Sequence, residues 1–163
     1  MAKDNVLSWV TIKGYLKSIG MISDVDTQRT KEIFSQGKFL CPEELKAIFI
    51  SNYKETDGKD QFKDLWLFSD NYLIEVLNFT KKETFELEIT IFSNNIQSVS
   101  IELYNLDFSQ KPKDDSRLHI LFYTLNDFSC DQISTGLNCD VLKSIYIKYI
   151  KPNLVRGASS GLH

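Results

Sequence analysis

The chain has 163 residues, 42% hydrophobic, 12% aromatic and 25% charged, which is enough to build an ordinary folded core and too apolar for a disordered chain. A formal charge of −3 and a pI near 5.4 provide no global basic field, and so exclude the usual electrostatic basis for nucleic-acid binding. No run is long enough to span a membrane, and Met1-Ala2-Lys3-Asp4 leads into a segment broken by Ser8, Thr11, Lys13 and Gly14 rather than into the apolar stretch of a secretory signal.

In chain order, Val6, Leu7, Val10, Ile12, Leu16 and Ile19 fall at helical spacing within residues 5–19. Asp26 to Phe34 predicts a second helix with Asp24 or Asp26 as N-cap, and Gly14, Gly20 and Gly37 punctuate this part. Residues 1–40 thus read as a helical appendage. Cys41-Pro42-Glu43-Glu44-Leu45 adds a helical turn to the expectation, after which strand character dominates. Lys46–Tyr53 is the first strand, and Asp57-Gly58 marks the turn after it. Leu65–Phe68 and Tyr72–Phe79 flank Ser69-Asp70-Asn71, whose Asp and Asn tolerate left-handed backbone, so LWLFSDNYLIEV reads as an antiparallel hairpin.

Residues 85–92 alternate, with Phe85, Leu87, Ile89 and Ile91 on one face and Glu86, Glu88 and Thr90 on the other. Between Gln97 and Phe108 the apolar parity changes, from Val99, Ile101 and Leu103 to Tyr104, Leu106 and Phe108, which predicts a bulge or a corner. SQKPKDDS is a loop, and Leu118–Leu125 and Ser129–Ser134 are the last strands. From Asp140 the period becomes helical: Val141, Leu142, Ile145, Tyr146, Tyr149 and Ile150 form one stripe, Asn138 or Asp140 is positioned to cap it, and Pro152 ends it. Residues 153–163 read as a flexible tail.

Six or seven consecutive antiparallel strands followed by one amphipathic helix is the element order of pleckstrin-homology-like barrels. LWLFSDNYLIEVLNF resembles the hairpin of bacterial PH-like and GRAM-like domains, ITIFSNNIQSVSIELY their following strand pair, and CPEELKAIFISNYK their opening strand. Over residues 41–152 the resemblance implies an α+β fold, a bent antiparallel sheet or partly open barrel closed by the C-terminal helix. The aromatic surplus of such a small barrel, together with the apolar stripe of residues 5–36, predicts that the N-terminal helices dock on it.

The resemblance carries a fold and no binding residue. Phosphoinositide-binding relatives place several basic residues around the first two strands, whereas here Lys54, Lys59 and Lys63 alternate with Glu55, Asp57, Asp60 and Asp64. Lys59, Lys63, Lys81 and Lys82, which the barrel reading brings to one open end, are the candidates for an anionic ligand. His119 stands in an apolar strand with no visible catalytic or metal partner, and Asp114-Asp115 lack the further carboxylates of a calcium loop. Cys41, Cys130 and Cys139 show no CxxC spacing, which argues for a reduced, cytoplasmic chain in which the Asn78-Phe79-Thr80 sequon has no meaning. The expectation is a non-catalytic module without cofactor that binds a protein or peptide, or a second copy of itself. Anionic lipid is the disfavoured alternative, and a small enzyme with an unrecognised active site is the other.

Overall fold

Ser8 starts the first helix: its hydroxyl accepts a 3.3 Å bond from Thr11 N, satisfying one of the free amides of α1, Trp9–Ser18. This computed structural model describes residues 6–54, 58–80, 87–105 and 113–155, and the chain divides into two compact units, Met1–Ser93 and Asn94–His163. In the first unit Ser23, rather than Asp24 or Asp26, caps α2, Asp24–Leu40. The two aspartates lie in the first turn, where the helix dipole favours negative charge. The helix runs six residues beyond Phe34 because Gly37 does not break it. A Cβ at Gly37 would lie 2.7 Å from Leu67 Cδ1, so the missing side chain is what lets α2 approach the sheet. Cys41 turns the chain to extended backbone, and the helical turn expected over Cys41–Leu45 does not form.

Four strands follow in antiparallel order: β1 Ala47–Lys54, β2 Asp60–Phe68, β3 Tyr72–Val76 and β4 Thr90–Ser93. On one face Ile48, Ile50, Leu65, Leu67, Ile74 and Val76 share a core with Ile12, Leu16, Ile33 and Phe34 of the helices. On the other face Phe49, Trp66, Phe68, Leu73 and Phe92 are also buried. Burial of both faces is why LWLF is a continuous apolar run instead of an alternating one. β3 stops at Val76, short of the expected Phe79, because Leu77–Thr80 form a turn with Asn78 at φ +55°. β4 is short for the same reason. Its ladder ends where Thr90 meets Glu75, and 87–89 have no strand partner, while Phe85 and Glu86 lie outside the described residues.

The second unit contains β5 Ile96–Tyr104, β6 Arg117–Thr124, β7 Ser129–Thr135 and α3 Asn138–Ile145. β5 carries a bulge between Ile96 and Ser98; Leu106 and Phe108, the later half of the expected parity change, lie outside the described residues. α3 packs on β6 and β7, burying Cys139, Leu142 and Ile145. Neither Asn138 nor Asp140 caps it. The N-cap is Leu137, and Asn138 is already the first helical residue, 2% exposed. After Ile145 the helix widens into one π turn, Tyr146–Ile150, and then tightens into Lys151–Asn153 around Pro152. Asn94 Nδ2 and Asn153 Nδ2 both donate to Tyr149 O, at 2.9 and 2.7 Å.

The seven strands therefore form two antiparallel sheets, β1-β2-β3-β4 and β5-β6-β7, and not the single bent sheet or partly open barrel that the sequence suggested. Only Asn94 and Asn95 separate β4 from β5, and Asn95 O is already taken by Leu125 N at 2.9 Å, which commits the chain to pairing with β6. The overall class is α+β, with the C-terminal helix present. None of the described helices is long and apolar enough to cross a membrane.

Two substitutions test the packing of the second unit. Ile145→Ala removes a side chain that is 4% exposed and is expected to cost about 2–5 kcal/mol. Gln132 on β7 is fully buried opposite Ile120, and neither atom of its amide finds a hydrogen-bond partner among the described residues. Gln132→Met keeps the volume, removes the orphaned amide, and should stabilise the protein by about 1–3 kcal/mol in denaturant melts; a loss of stability would mean that the amide is satisfied in solution.

Candidate functional site

The Ser69-Asp70-Asn71 turn between β2 and β3 is held from outside its own hairpin. The Glu43 carboxylate accepts from Ser69 Oγ at 3.0 Å, Asn71 N at 2.9 Å and Asn71 Nδ2 at 2.8 Å, and Lys46 pairs with Asp70 at 2.7 Å. The Asn71 side chain is the main cause of a Glu43 pKa below the usual carboxylate range; burial opposes it, Ser69 and the Asn71 amide add to it, and Asp70 works against it. These groups are all engaged with one another, so the turn is a structural tie.

Of the four lysines proposed for an anionic ligand, Lys59 and Lys63 are exposed, while Lys81 and Lys82 lie outside the described residues. The acids between them have separate fates. Asp64 is 5% exposed and its Oδ1 accepts from Asn78 N at 2.7 Å, so it fixes the turn after β3 rather than opposing a phosphate. Asp60 is exposed and sits across from Lys54 in the β1–β2 ladder. Asp60 also lines a cleft of about 330 Å³ with Asp26, whose carboxyl is pushed up chiefly by burial and lowered in part by Arg29. Two carboxyls in one cleft make it a poor anion site. A second, more apolar cleft of about 420 Å³ lies between Ile33 and Gln36 of α2 and Leu87 and Ile89. The Arg29 guanidinium beside it donates to Phe79 O and Thr80 O at 3.2 and 3.1 Å, which ties α2 to the end of β3.

The chemistry of the second unit gathers on the solvent face of its sheet. Register places Glu102 of β5 opposite His119 of β6, and Asp131 of β7 sits on the other side. His119 Nδ1 faces Glu102 Oε2 at 3.4 Å, and Nε2 meets Asp131 Oδ1 in a short contact. One imidazole thus bridges all three strands. With both ring nitrogens turned to carboxylates, neither is aimed at a nucleophile. Cys139 lies in the core, donates its thiol to Ser116 O at 3.6 Å, and is held protonated by burial, while Cys130 is fully buried. Asp115 accepts from Asn105 Nδ2 at 2.7 Å, and no group of three metal-ligating side chains occurs among the described residues.

The outer edge of β5 is the remaining candidate. β5 pairs with β6 on one side; on the other, Leu154 bridges Ile96 in parallel and Val155 N donates to Ile96 O at 2.9 Å, while no described strand pairs with residues 98–104. Val99, Ile101 and Leu103 oppose Phe122, Ile120 and Leu118, yet Ile101 and Leu103 remain 40% and 50% exposed while their partners on β6 are buried. Tyr104 follows at 59% exposed, its ring 5.6 Å from the Arg117 guanidinium. No protein-family model, curated protein or solved structure matches the chain. Periodicity flagged the β5 row as apolar. Which apolar residues stay uncovered depends on strand order, and the partners of His119, 17 and 12 residues away, depend on register.

The depressed Glu43 pKa fixes the sign of one pH effect. Its stabilisation is fully present above the unfolded glutamate pKa of about 4.3 and is lost as pH falls through the lower folded value. Glu43→Gln should therefore lower the melting temperature at neutral pH, and the gap from the parent should close in melts taken progressively below pH of about 4. A gap that persists unchanged at acid pH would show that charge is not what the turn recognises.

Proposed function

We propose that the chain is a non-catalytic interaction module on a PH-like scaffold that receives an extended protein segment along the outer edge of β5. The element order supports the scaffold: seven strands, in antiparallel sheets of four and three, precede the C-terminal helix, and a run of strands closed by one helix is the order of the family that residues 41–152 resemble. The observation that carries the binding reading is the apolar row Val99-Ile101-Leu103, with Ile101 and Leu103 exposed, on a strand nine residues long that also exposes Tyr104 on its other face. Strand addition takes its affinity from main-chain hydrogen bonds and its selectivity from alternate side chains, and residues 98–104, which pair with no other strand than β6 among the described residues, provide both. Its three free cysteines suit a reducing compartment.

Anionic lipid is the second reading, favoured by the exposure of Lys59 and Lys63 now that Asp64 is occupied elsewhere. The acidic cleft at Asp26 and Asp60 and the net charge of −3 weigh against it. Selection of peptides from a random display library against the full chain separates the two. Recovered peptides should alternate apolar and polar residues, slow hydrogen exchange of amides 98–104, and lose at least about tenfold in affinity with Leu103→Glu, a loss of about 1.4 kcal/mol. Peptides that protect only other segments would overturn the reading. Salt-sensitive sedimentation with phosphatidylserine vesicles, abolished by changing Lys59 and Lys63 to Ala, would put lipid in its place.

A further inference from the structure

The pattern of β5 points to a more specific occupant. We infer that the edge pairs with the same edge of a second copy of this chain, antiparallel about a two-fold axis at Ile101. The inference rests on the reading of β5 as the interaction surface and adds what that surface prefers.

Residues 98–104 read Ser-Val-Ser-Ile-Glu-Leu-Tyr. Laid antiparallel on itself about Ile101, this segment sets Ile101 against the partner's Ile101 and Leu103 against the partner's Val99, so every apolar residue of the row meets another. On the opposite face Glu102 meets the partner's Ser100, and Tyr104 meets the partner's Ser98. The segment's one charge thus never stands directly opposite its own copy, which would be destabilising. The two Glu102 carboxylates become diagonal neighbours at about 7–8 Å. His119 eases that contact: its Nδ1 lies 3.4 Å from Glu102 Oε2, toward β6 and away from the open edge.

Leu154 and Val155 cover the edge only at Ile96, and over 98–104, among the described residues, it lacks the devices that keep exposed strands apart. Ile96–Tyr104 contains no lysine and no proline, and Glu102 is its single charge. Its bulge lies at Ile96 and Ser98, at the start of the strand, leaving the pairing segment regular. A foreign strand would have to supply matching apolar spacing, whereas a second copy supplies it by symmetry, as two-fold interfaces do.

Sedimentation of the full chain over a range of concentrations tests the inference. The expected result is a reversible monomer–dimer equilibrium that Ile101→Lys, which sets two ammonium groups face to face on the axis, weakens at least about tenfold. Ile101 is 40% exposed, so this variant should keep the parent's circular dichroism and, at dilutions where the parent is monomeric, its melting temperature. A second variant keeps the test independent of that outcome. Ile101→Cys, in a Cys41→Ser background, should form a disulfide with itself under mild oxidation, because directly opposed residues lie about 4.5–5.5 Å apart at Cα, within disulfide reach. A chain that stays monomeric at every reachable concentration, or a dimer indifferent to Ile101→Lys, overturns the proposal. If the chain is monomeric while selected peptides still protect amides 98–104, the self-pairing falls and the interaction reading stands; if neither occurs, both fall.

Discussion

How closely α2 can approach β2 and β3 decides the architecture of the first unit. At Gly37 the approach leaves no room for a methyl group, since a Cβ there would meet Leu67 Cδ1 at 2.7 Å and Ile74 Cδ1 and Leu45 Cδ1 at 3.3 Å. Glycine in a helix interior costs on the order of 1 kcal/mol relative to alanine, so it is kept here for contact rather than for helicity. α1 is fixed to the same sheet by a polar link. The Tyr15 hydroxyl accepts from Ile50 N at 3.0 Å and lies 3.4 Å from Ile50 O, where the β1–β2 register slips. One slot over, Ser51 Oγ takes the Asp64 amide at 3.0 Å, so the irregularity leaves these backbone groups satisfied. Leu7 N adds a bond to Leu45 O. The N-terminal helices are thus one folding core with β1–β3.

The two sheets differ in what they leave uncovered. In the first unit both faces of the central strands are buried, and the polar groups enclosed there are paired: Trp66 Nε1 donates to Glu75 Oε2 at 2.9 Å while its ring stacks on Phe49 at 5.8 Å. In the second unit one face packs under α3 and the other carries His119, Asp131, Tyr123 and Glu102 into solvent.

Most elements were legible because their signals are local. The hairpin around Ser69-Asp70-Asn71, the strands at 117–124 and 129–135, and the change to helical period near Asn138 follow from turn residues and apolar spacing. What was misread depends on partners distant in sequence. Alternation at 85–92 says strand, but a strand ends where its neighbour does, and β3 ends at Val76. Gly37 looked like punctuation because only the position of Leu67 explains it. The caps were misjudged by a single residue at α2, where serine won over two nearby aspartates. At the candidate site, periodicity exposed the Val99-Ile101-Leu103 row, but the Glu102–His119–Asp131 bridge needs three strands in register and no window of sequence contains them.

Both tryptophans, Trp9 and Trp66, lie in Met1–Ser93, and Asn94–His163 has none. Trp66 is fully buried, with a carboxylate on its indole nitrogen and a phenyl ring against its face. Intrinsic tryptophan fluorescence therefore watches one half of the polypeptide and is blind to the other, whose aromatic signal comes from tyrosine and phenylalanine. A denaturation curve followed by emission alone describes the first half; set beside one followed by backbone ellipticity, it becomes a direct measure of whether the halves melt in a single cooperative step or in two.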